Sequence, residues 1–215
     1  MRCRLALVLL AVLVPGGLRA QAAPDGWKVV LDSSARTLAP GAADGGGVQF
    51  VAMPPGFHIT MGPGGLLYRP GSRADGRFAM EAQIFLFPGT STAGYGLFMG
   101  GTDLDQGRPA YTEFVLRRDG MAAVIRHDGE ERTVYLPWAR PDSVASPGPD
   151  APAANTFRVV AERDSVTFLV NGRRLGAVER SLAPVDGEFG YRIGAGMNVH
   201  ATSLDVLHRL APARP

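Results

Sequence analysis

Cysteine is almost absent from this 215-residue chain. Cys3 is the sole one, so everything after it is without a disulfide and a stapled mini-protein fold is excluded. Lysine is nearly missing too. Lys28 stands alone among 22 basic residues, and the rest are arginine. With abundant Ala, Gly and Pro, this reads as the codon usage of a GC-rich genome. The apolar run from Leu5 to Val14 is too short for a bilayer span, which takes about twenty residues. After that run no segment has the periodicity of an amphipathic helix. A Gly-x-Ser-x-Gly nucleophile turn is missing. The glycine clusters at 45–47 and 62–65 precede no helix, so they are turns and not phosphate cradles.

What is present at the N-terminus has the layout of a secretory leader. Arg2 and Arg4 precede the apolar run, Pro15-Gly16-Gly17 breaks it, and Ala20-Gln21-Ala22 offers small residues at cleavage spacing. The rival is an uncleaved anchor, which the shortness of the run disfavours. No cysteine follows the run, which disfavours a lipoprotein. The expectation is a leader over 1–22, one domain over 23–210, a frayed tail over 211–215, and a periplasmic or secreted protein. The leader carries Arg2, Arg4 and Arg19 and no acid, so the formal charge of +2 becomes slightly negative without it. Neither nucleic acid nor an anionic membrane is an expected partner.

The remaining chain alternates apolar and polar residues at a spacing of two, with Gly, Pro, Asn and Asp punctuating every dozen residues or so. That is the pattern of many short strands in an all-β, two-sheet antiparallel sandwich. Strands are expected at 27–32, 48–53, 57–61, 65–69, 77–87, 93–99, 111–118, 121–127, 132–137, 156–162, 165–170, 173–178, 188–193 and 198–207. Loops are expected at 34–47 and at the proline-rich 139–154.

Three hairpins can be phased. Asn171-Gly172 demands a two-residue turn with positive φ. It pairs Val170 with Arg173, Phe168 with Leu175 and Val166 with Ala177. A turn at Arg163-Asp164 pairs Ala161 with Val166, Val159 with Phe168 and Phe157 with Val170. Both registers put the apolar residues on one face, and a slip of one residue in either would break the agreement. A two-residue turn at Asp119-Gly120 pairs Phe114 with Ile125 and Leu116 with Ala123 on an apolar face. The other face then pairs Glu113 with Arg126 and Tyr111 with Asp128. A further turn at Asp128-Gly129 would add Glu131 and Tyr135 to that face.

The segments GYGLFMGG (94–101), TFRVVAERDSVTFLVNGRRL (156–175) and GEFGYRIGAGMNVH (187–200) resemble the concanavalin A-like lectin/glucanase superfamily. The particular likeness is to its 3-keto-disaccharide hydrolase branch, long a domain of unknown function. The resemblance implies a jelly-roll sandwich over most of residues 27–208, with ligands on the concave sheet face. It implies activity on glycosides, or carbohydrate binding. Yet the Glu-x-Asp-x-x-Glu strand of the glucanases is absent, as is any second carboxylate facing Glu81 on its strand. The divalent-metal ligands of the keto-glycoside enzymes have no counterpart motif either, so no cofactor is assigned.

Candidate ligand-binding residues are Tyr111, Glu113, Arg117, Arg126 and Tyr135 on one polar face, with Trp138 at its edge and His200 near the C-terminus. Rings beside charged hydrogen-bonders suit a sugar. The plainer reading of Glu113 and Arg126 is a solvated cross-strand ion pair. Trp138 is equally well a core anchor. Asp103 and Asp105 begin like a calcium loop, but the rest of one is missing, and a solvated turn fits better. His58, His127, His200 and His208 show no metal-site spacing. No catalytic residue is assigned. The functional expectation is an exported, carbohydrate- or glycoside-directed domain. The alternatives are a glycan-binding module without catalysis and a structural or interaction protein of the cell envelope.

Overall fold

The computed structural model describes residues 23–32, 37–38 and 47–208. The expected leader and tail lie outside them, as does most of the 34–47 loop. The described residues are all-β, without a helix and so without one long and apolar enough to cross a membrane.

The strands are β1 (Lys28–Leu31), β2 (Thr37–Leu38), β3 (Val48–Ala52), β4 (Phe57–Met61), β5 (Gly65–Ala74), β6 (Phe78–Leu86), β7 (Gly94–Thr102) and β8 (Ala110–Arg117). They continue with β9 (Ala122–Asp128), β10 (Glu131–Ala139), β11 (Ala153–Ala161), β12 (Ser165–Val170), β13 (Arg173–Glu179), β14 (Gly187–Ile193), β15 (Asn198–Ala201) and β16 (Asp205–His208). One sheet runs β10-β9-β8-β7-β14-β5-β1-β2. The other runs β13-β12-β11-β6-β15-β4-β3, with β16 also paired to β6. Every pairing is antiparallel, and the two sheets form a jelly-roll sandwich.

Period-two alternation builds the core. Phe157, Val159 and Ala161 are fully buried, while Arg158 and Val160 between them are half-exposed. Phe114 meets Phe157 and Phe168 edge-on, with centroids at 5.3 and 5.4 Å. Each such ring, removed from water, contributes roughly 2–3 kcal/mol.

The 156–178 meander has the expected topology. Phe157, Val159 and Ala161 oppose Val170, Phe168 and Val166. Asn171 and Gly172 take φ of 51° and 76°, and Val170 opposes Arg173. Beyond that a bulge intervenes, so Phe168 opposes Gly176 and not Leu175, and Val166 opposes Val178 and not Ala177. The expected 198–207 strand is broken at Thr202, whose hydroxyl donates to Gln83 O and accepts from Gln83 N. β10 runs on through Pro137, which an edge strand tolerates.

The β8–β9 hairpin departs from expectation in a way that matters for the site. Its loop has three residues, not two. Gly120 N donates to Arg117 O at 3.0 Å and Arg117 N donates to Met121 O at 2.8 Å. Gly120 takes φ of 83°, the left-handed residue that closes such a loop. The extra residue shifts the register by one. Glu113 therefore opposes Ile125 and not Arg126, and Tyr111 opposes His127 and not Asp128.

The proline-rich 139–154 segment is anchored from beneath. Asn155 is fully buried; its Oδ1 accepts from Ala145 N and Asn171 Nδ2, and its Nδ2 donates to Ala145 O and Tyr95 Oη. Replacing it by Ala would strand several buried partners, each costing about 1–3 kcal/mol. Asn155→Ala is expected to destabilise the fold by about 3 kcal/mol, read as a lower urea midpoint at unchanged m-value.

Candidate functional site

The outward face of the sheet that holds β8 is not a plain solvent face. Tyr111 and Glu113 are 6% and 7% exposed. A second small apolar cluster of Val30, Leu66, Tyr68, Phe98, Leu104 and Tyr111 lies on it. Rings join edge-on along this layer, Tyr68 to Phe98 at 6.1 Å and Phe98 to Tyr111 at 5.9 Å.

Into this layer the sheet inserts a chain of charges. Arg192 of β14 donates through Nε to Glu113 Oε2 at 3.0 Å and through Nη2 to Asp32 Oδ2 at 2.9 Å. Its Nη1 donates to Gly65 O at 3.2 Å. The other Glu113 oxygen, Oε1, lies 3.1 Å from His127 Nε2, within ion-pair reach but off the line of a well-angled hydrogen bond. The imidazole of His127 stacks on Tyr111 with centroids 4.6 Å apart and planes 13° from parallel.

Burial alone would raise the Glu113 carboxyl. The His127 contact and the charge of Arg192 outweigh burial and hold it below the ordinary carboxylate range. Burial also opposes the Arg192 charge, but Asp32, Tyr111 and Glu113 keep it firmly protonated. Burial pushes the Tyr111 hydroxyl up to about 12.

Above these groups is a depression of about 420 Å³, within the size range of ligand pockets. Asp32, Tyr111, His127, Arg132 and Arg192 supply its polar wall. Leu66, Leu104 and Val30 supply its apolar one. Arg132 opposes His127 across β10 and β9, is exposed, and makes no ion pair among the described residues. At the rim Lys28 Nζ and Asp105 Oδ2 pair at 2.8 Å. No residue of 139–154 lines the depression.

The face expected from sequence is thus partly kept. Tyr111 lines the depression, and Glu113 lies behind it, positioning Arg192 and His127. Arg117 shares their side of β8 but sits at its far end, bound to Asp119 and stacked over Trp138 at 5.3 Å. Trp138 is 37% exposed, so it is no core anchor. Arg126 leaves the face because the register moved; it opposes Thr112 and donates to Gly100 O. Tyr135 falls in a bulge between Val134 and Leu136 and packs against the main core. Glu131 opposes Asp128, on the other side from Arg132. His200 lies on the opposite sheet, facing His58 and Phe85.

Asp32, His127, Arg132 and Arg192 were not singled out in the sequence. Arg192 and Asp32 are separated by 160 positions, and only the β1-β5-β14 pairing brings them together. His127 was hidden by the one-residue register error. Among the described residues no group of three or more His, Cys, Asp or Glu side chains is arranged to hold a metal.

No protein-family model matches the chain, and no curated protein matches it in sequence. Solved structures do match its fold. A carbohydrate-binding module, CBM66, from Bacillus subtilis superposes with a TM-score of 0.59 at 13% identity, covering 84% of this chain and 94% of that one. A Bacillus subtilis protein of unknown function with a galectin-like fold gives 0.56 at 15% identity, covering 89% and 95%. A Bacteroides ovatus mixed-linkage glucan GH16 protein in complex with its G4G4G3G product gives 0.56 at 11% identity, covering 88% and 98%.

A carboxyl held low in the folded state stabilises the fold above its unfolded pKa and loses that contribution as pH falls. Stability of the wild type is therefore expected to fall from about pH 5 downward, through the window below the ordinary glutamate value. Glu113→Gln should flatten that slope and cost about 2 kcal/mol near neutrality. Urea midpoints measured across this pH range check both; an unchanged slope in the variant would refute the assignment.

Proposed function

We propose that this chain is an exported glycan-binding β-sandwich whose ligand occupies the depression over Arg192. One observation carries the reading. Hydrogen-bonding groups of both polarities, Asp32, Tyr111, His127, Arg132 and Arg192, converge beside an apolar wall, with Arg192 and His127 held by the buried carboxylate of Glu113. A sugar ring needs that combination, with fixed donors and acceptors for its hydroxyls and apolar surface for its C–H face. Charges of the two signs nearly balance around the depression, which suits a neutral polyol better than a strongly charged ligand. The fold shared with a carbohydrate-binding module and a glucan-processing protein supports the class of ligand. The leader-like N-terminus supports export.

Binding is favoured over hydrolysis by the state of the carboxylates. A glycosidase acid needs a raised pKa. Glu113 is held low, and Asp32 and Glu113 are tied to one guanidinium. The finer reading suggested by the sequence resemblance, a 3-keto-disaccharide hydrolase, finds no raised carboxyl in Glu113 to support it.

A glycan array with the mature chain is expected to give saturable binders. Arg132→Ala and Asp32→Asn should each weaken them about tenfold, the scale of one charge-assisted hydrogen bond. Arg158→Ala, on the opposite sheet, should leave them unchanged. Array silence, or equal binding by all variants, would sink the proposal. Release of reducing sugar from 3-keto-glycosides with an added divalent metal would favour the hydrolase instead.

A further inference from the structure

A second depression, of about 510 Å³, opens between the two sheets, away from the Arg192 face. Its walls are aromatic and apolar: Trp27, Phe57, Phe189 and Leu204, with Pro54 and Pro55 at the lip. Trp27 stacks on Tyr191 with centroids 5.8 Å apart and planes 19° from parallel, and meets Phe57 edge-on at 5.8 Å. Tyr191 donates its hydroxyl hydrogen to Thr202 O, fixing the floor.

A sandwich end of this kind is ordinarily closed by apolar side chains, because the core continues behind it. Here the inward-facing row of β5 is interrupted by a cation before it returns to the core at Ala74. Leu67 is fully buried, and two residues on, Arg69 places its guanidinium 5.4 Å from the centroid of the Trp27 ring. Arg69 is exposed and makes no ion pair among the described residues. Two acids of this end are engaged elsewhere: Glu188 accepts from Gly71 N, and Asp75 pairs with Arg73, while Asp205 acts on Tyr191 and pairs with no base among the described residues. Among the described residues no Asp or Glu lines the depression. The indole Nε1 of Trp27 is buried behind the wall and is closed to a ligand. The cavity thus combines a large apolar wall with a positive charge that no described residue of its lining neutralises.

We propose that this mouth is a binding site for a small amphipathic carboxylate. The apolar body, acyl or aryl, lies against Phe57, Phe189 and the prolines. The carboxylate takes the place beside Arg69, where a charge-assisted, two-pronged contact is available. The site is separate from the glycan depression and stands or falls without it.

Tryptophan emission reads it directly. The chain has two tryptophans, and Trp138→Phe leaves Trp27 as the sole reporter. Titrating this variant with decanoate below its micellar range should give a saturable change in Trp27 emission. Decanol, which matches the chain but lacks the charge, should bind at least about tenfold more weakly. Arg69→Gln, an exposed change with little effect on folding, should abolish that preference and leave decanol binding as it was. Calorimetry with phenylpropanoate on the unmutated chain gives the same answer without the tryptophan substitution. Equal binding of acid and alcohol, an unaltered preference in Arg69→Gln, or no saturable signal from either acid would each overturn the proposal.

Discussion

The placement of one guanidinium inside the outer layer of a β-sheet governs how this face is built. Arg192 joins Asp32, just past β1, to Glu113 on β8, and reaches the carbonyl of Gly65 at the start of β5. A buried cation is costly unless every donor is met and opposite charge lies close by. Here each guanidinium nitrogen has an acceptor and carboxylates lie on two sides, because the five adjacent strands β8, β7, β14, β5 and β1 keep a common register. The same network fixes the polar wall of the depression. Asp32 is tied to Arg192 and His127 is stacked on Tyr111, so both positions are favoured before any ligand arrives. Preorganisation of this sort lowers the entropic cost of binding.

The two sheets treat their outer faces differently. On the sheet carrying β11 and β6, outward residues stay half-exposed and form ordinary surface pairs, such as Arg158 with Glu81 at 2.7 Å. Pairs of that kind contribute little. On the sheet carrying β8 and β14, outward residues are buried as deeply as core ones: Phe98 is fully inaccessible and Tyr68 nearly so. The 103–109 segment contributes to this cover through Leu104 and Asp105. The ligand-like depression lies where the cover stops.

How much of this could be read from the sequence depends on the range of the interaction. The all-β class, the sandwich and the Asn171-Gly172 turn follow from local alternation and from φ preferences, which neighbouring residues dictate. The β8–β9 register does not. Asp119-Gly120 is compatible with a two-residue turn or with a three-residue loop closed by a left-handed glycine, and the apolar pattern tolerates both because Val124, Ile125, Ala122 and Ala123 are all apolar. That ambiguity of one residue moved Arg126 off the face and His127 onto it. Arg192 and Asp32 were illegible for a different reason. Their partnership depends on sheet order, which is a property of the whole chain.

Sheet order has one more consequence, seen at β6. It pairs with β11 along its full length on one side, and on the other it is completed in two pieces, β15 and then β16. Both pieces come from the last residues described, far along the chain from β6. The central strand of that sheet therefore keeps one edge open until β15 and β16 are available. Long-range pairing of this kind makes folding slow and late. A chain still emerging from a ribosome, or threading through a membrane pore, has its inner strand unsealed. It becomes a closed sandwich only after β15 and β16 have arrived in the same compartment.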